Sequence, residues 1–276
     1  MGRHYKIGEF AKNLGVSAGF LKHHEKYGLL KPHVAESGYR YYEFHQAMLV
    51  VQCIRLQNMG FTSREIADIL NHTASADMAA LFEEKRGLIA GKCRLYQEIL
   101  AYMDQMSGPG KTDKGGDWSV LRPEPFYYVE NACEGQFEGS EGRYEAALKW
   151  NDYMPVVETC SRFERLDSRP EIKSVGRWYM GLRIGKAAAD RLGIFINGEV
   201  RLIEPEKCLV YHVRERRKRS LNSPQRAVEL ILEEPLGICA RHGFTVEGDI
   251  FSVQRFCSTA QDENYMEEMV LVPVEG

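Results

Sequence analysis

Between Ser75 and Met106 the chain carries no proline and repeats its apolar residues every seven positions. Leu81, Leu88, Leu95 and Tyr102 make one row, and Phe82, Ile89, Tyr96 and Met103 make the adjacent one. Met78, Ile99 and Met106 lie on the neighbouring edge. That period predicts one long amphipathic helix. A helix of ~30 residues spans about 45 Å, more than a domain of about seventy residues can cover. Its apolar stripe therefore needs a partner. A parallel or antiparallel coiled coil with a second copy of the chain is the simplest solution. The alternative is that residues 120–276 cover the stripe within one chain. Gly87 and Gly91 weaken the helix without breaking the pattern.

Four helical signals precede it. Ile7, Phe10, Ala11 and Leu14 recur at helical spacing, and Gly15 is a stop. Ser17 is placed to cap a second short helix that ends near Tyr27, where Gly28 and then Pro32 prevent its resumption. Glu36 to Tyr42, with Gly38 as turn former and alternating aromatics, suits a small β-hairpin. A third helix is expected over Glu43–Asn58. The fourth opens with a capping-box pair, Thr62 and Glu65, and Phe61 just before the cap can staple onto Ile66.

With 276 residues the chain has room for about two domains at roughly 150 residues each. The stretch SGPGKTDKGGD is the clearest linker, and beyond it the apolar period changes to two. PFYYVE, SVGRWYMGLRIG, KCLVYHV, DIFSVQRF and EEMVLVPV read as strands. Residues 141–160 and 224–242 read as helices, the second opened by Ser223 and Pro224. Pro155 and Pro235 are expected to kink or divide them. The expected fold is multidomain. An N-terminal all-α part with a β-hairpin and a long helix precedes a C-terminal α+β domain of two helices on an antiparallel sheet. The boundaries are 1–72, 73–107 for the long helix, 108–118 for the linker, and 119–276.

The net charge is −3, so any nucleic-acid surface must be local. Such asymmetry exists: Met1 to Leu70 holds 9 Lys or Arg against 6 Asp or Glu, which leaves the remainder net acidic. The seven cysteines are scattered and none forms a CxxC, which reads as reduced thiols in a cytoplasmic protein. No apolar run suggests a signal peptide or a membrane span.

Two short helices joined by a tight turn, the second rich in donors, fit a helix-turn-helix whose second helix enters the major groove of duplex DNA. Lys22 can donate to phosphate or guanine, and His23 and His24 can meet base edges or phosphates. The GYRYY hairpin then acts as a wing, with Arg40 for the backbone and Tyr39, Tyr41 and Tyr42 offering rings and hydroxyls. Thr62 and Ser63 present backbone N–H groups at a helix N-terminus, another phosphate site.

The order YKIGEFAKNLGVSAGFLKHHEKYGLLKPHVAESGYRYY followed by FTSREIADIL resembles the MerR family of transcription regulators. The resemblance covers residues 5–70 and extends by position and pattern to 75–106. It implies a winged helix-turn-helix that binds a pseudo-palindromic promoter as a homodimer, through an antiparallel coiled coil, and distorts the promoter so that RNA polymerase can engage it. The DNA-binding set it implies is Ser17, Phe20, Lys22, His23, His24, Tyr39, Arg40, Tyr41, Thr62 and Ser63. One departure stands out. The family usually has an arginine and two aromatics where this chain has Lys22-His23-His24, and a lysine is a point charge, not a bidentate fork.

Residues 120–276 resemble the GyrI-like effector-binding domain of the multidrug-sensing MerR branch. The likeness rests on strand–helix–strand order, two halves of similar plan, and EEMVLVPVE. It implies a pocket for a bulky aromatic or cationic small molecule, where ring faces attract the cation and a carboxylate supplies counter-charge. The candidates are Tyr127, Tyr128, Trp150, Tyr153, Trp178, Tyr179, Tyr211, Phe256 and Tyr265, with Glu267 or Glu268 as the acid; Glu267 shares a strand face with Met269 and Leu271. Most of these aromatics are expected to be packing. Residues 104–125 hold no cysteine, and Cys93 has no nearby second thiol. Soft-metal sensing needs two or three convergent thiolates, so no metal or cofactor is expected. The run Arg214-Glu215-Arg216-Arg217-Lys218-Arg219 reads as a solvated loop or a phosphate contact. The competing readings are a redox-responsive regulator using Cys93 or a C-terminal thiol and a GyrI-like domain with hydrolase activity. The residues show no nucleophile–base spacing that catalysis would demand.

Overall fold

The computed structural model describes residues 3–71, 75–106, 117–218, 224–260 and 263–276. The chain divides into two compact units, Met1–Cys93 and Arg94–Gly276. The division falls inside the long helix, so each unit owns part of it.

In the first unit, α1 (Ile7–Leu14) ends at Gly15, whose φ of 68° is the left-handed conformation that stops a helix. Ser17 then caps α2 (Ala18–Lys26): its Oγ accepts from Phe20 N at 3.0 Å. The wing is larger than the hairpin expected from sequence. β1 (His4–Lys6), ahead of α1, joins β2 (His33–Val34) and β3 (Arg40–Glu43) in the order β1-β3-β2. Three residues carry too little periodicity to announce a strand.

α3 runs Gln46–Asn58 and starts three residues after the expected Glu43. α4 (Ser63–Asn71) begins with the expected reciprocal cap: Thr62 N donates to Glu65 Oε2 at 2.6 Å and Glu65 N to Thr62 Oγ1 at 3.3 Å. Phe61 and Ile66 are buried in one cluster with Leu29, Cys53, Leu56 and Ile69. A second cluster gathers Phe10, Leu21, Leu30, Tyr42 and Val50, and Phe20 packs against both. α5 spans Ser75–Met106, as the heptads predict.

The second unit is an antiparallel sheet with helices on one face. Its strands are β4 (Asp117–Leu121), β5 (Phe126–Cys133), β6 (Gln136–Phe137), β7 (Glu158–Arg165), β8 (Val175–Gly185), β9 (Arg201–Ile203), β10 (Cys208–Lys218), β11 (Thr245–Val246), β12 (Ile250–Ala260) and β13 (Glu263–Glu275). The spatial order is β4-β10-β13-β12-β7-β8-β5-β6, with β9 paired to β5 and β11 to β13. α6 (Glu141–Trp150), α7 (Lys186–Leu192) and α8 (Pro224–His242) supply the helical layer.

Strand parity sorts the two faces. Leu209, Tyr211, Val270 and Val272 pack with Leu232 and Leu236 of α8, and Leu182 and Ile184 pack with Ala146, Trp150 and Ala189 of α6 and α7. Their neighbours in sequence, Cys208, Val210 and Leu271, join Phe126, Tyr128, Cys160, Phe251 and Val253 on the opposite, open face.

Several boundaries differ from expectation. Residues 141–160 are not one helix: α6 ends at Trp150, a short 3-10 turn follows, and Glu158 begins β7. α7 is a third helix that the sequence does not announce. Asp117 and Trp118, expected in the linker, are the first residues of β4, and the remainder of 108–118 lies outside the described residues. The basic run is strand through Lys218, not loop. The register sets Arg214 opposite Glu267 and Lys218 opposite Glu263; Arg219 lies outside the described residues.

Candidate DNA-binding surface and effector domain

α2 shows two faces. Leu21 and His24 are fully buried, whereas Lys22, His23 and Lys26 are exposed. His23 Nε2 is 2.8 Å from Ser63 Oγ, and its ring stands 5.1 Å from Tyr27. This bond joins α2 to the start of α4 and brings Lys22, His23 and Ser63 onto one surface. The hydroxyl of Thr62 is committed to its cap, leaving the first turn of α4 to offer backbone donors.

His24 requires a correction. Its ring has no exposed surface, packs 4.5 Å from Phe20, and neither ring nitrogen has a hydrogen-bond partner. The structure makes it a core residue, not a DNA contact. Burial, and then the neighbouring His23, holds its imidazole below its ordinary pKa, which keeps it neutral. Phe20 is likewise half-buried between the two cores and serves packing.

The wing is held by a residue that sequence reasoning missed. Glu25 on α2 accepts from Arg40 Nε at 2.9 Å and from the Tyr42 hydroxyl. Burial and then the bond to Glu25 push the Tyr42 phenol pKa upward. Glu25 lies 15 and 17 positions from its partners, so no local pattern could announce the clamp. Tyr42 itself is core, stacked on Phe10 at 4.9 Å. Tyr39 is exposed at the tip with Lys6 Nζ 5.8 Å from its ring centroid, and Tyr41 is half-buried.

In the second unit most of the expected effector set lies under the helices. Trp150 is fully buried, its Nε1 donating to Phe195 O at 2.8 Å. Tyr211 is buried in the α8 core; Trp178 packs beside it, and Tyr127 and Tyr153 pack against the α6 core. Glu268 is buried, accepting from Ser252 Oγ at 3.0 Å. Trp150, Tyr211 and Glu268 are therefore corrected to framework, and Tyr127, Tyr153 and Trp178 are half-buried beside them. Tyr179 and Glu267 fall on the open face, and the register puts Phe256 opposite Glu267. The Phe256 and Tyr265 side chains lie outside the described residues.

The open face carries its own polar set. Glu158 accepts two bonds from Arg183, at 2.9 and 2.8 Å, with both side chains nearly buried. Glu130 accepts from Arg162 and Arg201, each at 3.0 Å, and Arg162 also lies 3.9 Å from the Tyr179 ring centroid. The Tyr128 hydroxyl is buried without a hydrogen-bond partner. Tyr102 near the end of α5 reaches this face, its hydroxyl 3.4 Å from Arg255 O, and Glu98 binds Arg191 of α7 at 2.6 Å. The heptad stripe is thus partly covered within the chain: Met78 and Leu81 pack on the Phe61 cluster, Phe82 lies 5.1 Å from the Phe61 ring, and Tyr102 meets the open face. Leu88, Ile89, Tyr96, Leu100 and Met103 stay exposed. Among the described residues, no three His, Cys, Asp or Glu side chains converge as a metal site would need. No described helix is long and apolar enough to cross a membrane.

A helix-turn-helix with a three-stranded wing, exposed donors on its second helix and a long helix behind it defines a winged DNA-binding protein. Residues 5–73 match the family model described as MerR HTH family regulatory protein. Over 121 residues the chain is 26% identical to the heavy metal-dependent transcription regulator 2 of Rhizobium meliloti (strain 1021), which covers 42% of this chain and 82% of that protein. Among solved structures it is similar to a MerR family transcriptional regulator from Bacillus cereus, at 22% identity over 40% of this chain and 88% of that one, with a TM-score of 0.35. It is also similar to EcmrR in the EcmrR–DNA complex within EcmrR-RPo, at 16% identity over 98% of this chain and 99% of that one, with a TM-score of 0.37. At such scores these two structural likenesses bear no weight for function. Through its N-terminal domain the chain is a DNA-binding transcription regulator of the MerR type.

Proposed function

We propose that the protein is a homodimeric, effector-responsive transcription regulator and not an enzyme. Two α2 helices, one from each chain, enter successive major grooves of a pseudo-palindromic promoter, with the wings on the flanking backbone. The α5 helices pair through the exposed stripe, and the dimer distorts the duplex so that RNA polymerase can engage it. The C-terminal unit is read as a GyrI-like domain whose open sheet face receives a bulky aromatic or cationic molecule. That molecule acts by binding the promoter-distorting conformation more tightly than the other. The reading places the protein in the cytoplasm with its DNA.

The observation that carries the DNA reading is the surface on α2 and α4. Lys22 and His23 stand exposed side by side, and His23 is fixed to Ser63. An exposed pair of polar side chains on a second helix, one of them fixed in place, suits groove reading. The test is binding to a promoter duplex as a function of salt. Lys22→Ala should weaken binding and lower the slope of log K against log salt by about 1 for each phosphate that Lys22 neutralises. Equal affinity and slope in Lys22→Ala and His23→Ala would remove α2 from the interface.

A further inference from the structure

The open face of the sheet ends in a groove of 710 Å³, a volume suited to a small molecule. Its floor is apolar, built on Phe126 and Phe251, whose rings meet edge-on at 5.2 Å, with Ile203 and Leu271 beside them. Three cations line it; the two arginines are paired with carboxylates, and Lys207 donates to a backbone carbonyl and keeps its charge. Arg162 donates to Asp249 Oδ2 at 2.7 Å and to Glu130 Oε2 at 3.0 Å. Arg201 donates to the same Glu130 oxygen at 3.0 Å, and Lys207 Nζ to Gly276 O at 2.6 Å.

Four carboxylates are left over. Glu204 and Glu206 stand on the β9–β10 connection, Glu247 ahead of β12, and Glu275 at the end of β13. All four are exposed, and none has an ion-pair partner within 4 Å among the described residues. They do not converge: no group of three or more metal-ligating side chains forms among the described residues. Negative charge is therefore spread along a rim above an apolar floor. A metal ion needs focused charge, and a single ammonium would leave most of the rim unmatched.

We propose that this groove binds an aliphatic polyamine. Its methylene segments lie on the Phe126–Phe251 floor, and its separated ammonium groups meet Glu204, Glu206, Glu247 and Glu275. The site lies toward the far end of the open face from the proposed effector position: Pro273, which also lines the groove, and Glu267 are ~20 Å apart along β13 at about 3.4 Å per residue, while Arg162, beside Tyr179, borders both.

The test is isothermal titration calorimetry of the full chain with spermidine at near-physiological salt. Saturable binding with one site per chain is expected. The exposed pairs Glu204→Gln/Glu206→Gln and Glu247→Gln/Glu275→Gln should each weaken it at least fivefold while leaving the melting temperature of the free protein unchanged. Glu267→Gln should leave it intact. Magnesium at equal charge concentration should fail to displace it. Absence of saturable binding, full displacement by magnesium, or indifference to both pairs would overturn the proposal. Loss only in Glu267→Gln would move the cation to the other position and overturn it equally. Tighter binding of tetraphenylphosphonium than of spermidine would replace the polyamine with a lipophilic monocation. Because binding is read without DNA, failure here leaves the DNA-binding reading standing, and the reverse also holds.

Discussion

Adjacent histidines on α2 have opposite duties because burial differs between them. His23 is exposed and tied to Ser63, and His24 is enclosed with two unpartnered nitrogens. A proton on His24 would place a cation in a core that offers it no acceptor. Its folded pKa is lowered, so the unfolded chain takes up the proton first as pH falls. Its contribution is therefore complete above about pH 6.5, the unfolded imidazole value, and is lost as pH drops through it toward the folded pKa. The urea midpoint of the N-terminal unit should be lower at pH 5.5 than at pH 7.5, and His24→Phe should flatten that difference. An unchanged pH dependence in the variant would contradict the assignment. Glu25→Ala should destabilise the wing by about 1–3 kcal/mol, because Tyr42 loses a buried partner; denaturant titration measures it. The legible residues are those whose partners lie within a turn, such as the Ser17 cap and the Thr62–Glu65 pair. Glu25 is illegible because it acts across the fold. Sequence alone also leaves Glu267 and Glu268 undecided. Only the pairing register shows Glu268 turned under α8 and Glu267 on the open face.

Elements with a long, unbroken period are the readable ones. α5 and α8 occupy the spans their apolar patterns indicate, although α8 runs undivided through Pro235, and β8 keeps the alternation of SVGRWYMGLRIG. β7 misleads because its first residues follow a helical pattern, and a run of a few apolar residues fits either period. The long β10 misleads for a different reason. Its basic residues look like loop until the acids opposite them on β13, some fifty positions away, are known. Two substitutions probe elements directly. Thr62→Ala should cost about 1 kcal/mol by removing the α4 cap, seen as a lower denaturant midpoint for the N-terminal transition. Gly181 faces the β-bulge that carries Glu130, and an added Cβ would collide with the Val129 carbonyl. Gly181→Ala should destabilise the C-terminal unit by about 1–3 kcal/mol, again by denaturant titration, and leave the N-terminal transition in place.

At the scale of the whole molecule, the exposed heptad residues of α5 are the feature that one chain does not resolve. Leu88, Tyr96 and Met103 are each more than half exposed, and a stripe of that kind on a long helix is buried most simply by its own copy. Leu88→Glu/Tyr96→Glu should convert the dimer to monomer in sedimentation velocity and weaken promoter binding more than tenfold, since half-sites joined in one dimer gain effective concentration. The central claim is that a dimer reads a two-fold symmetric site through α2. Its most direct measurement is selection of bound duplexes from a random pool, followed by sedimentation of the complex with the enriched sequence. The account predicts a pseudo-palindrome occupied by two chains, with enrichment abolished in Lys22→Ala/His23→Ala. Enrichment of an asymmetric site bound by one chain, or no enrichment at all, would contradict it.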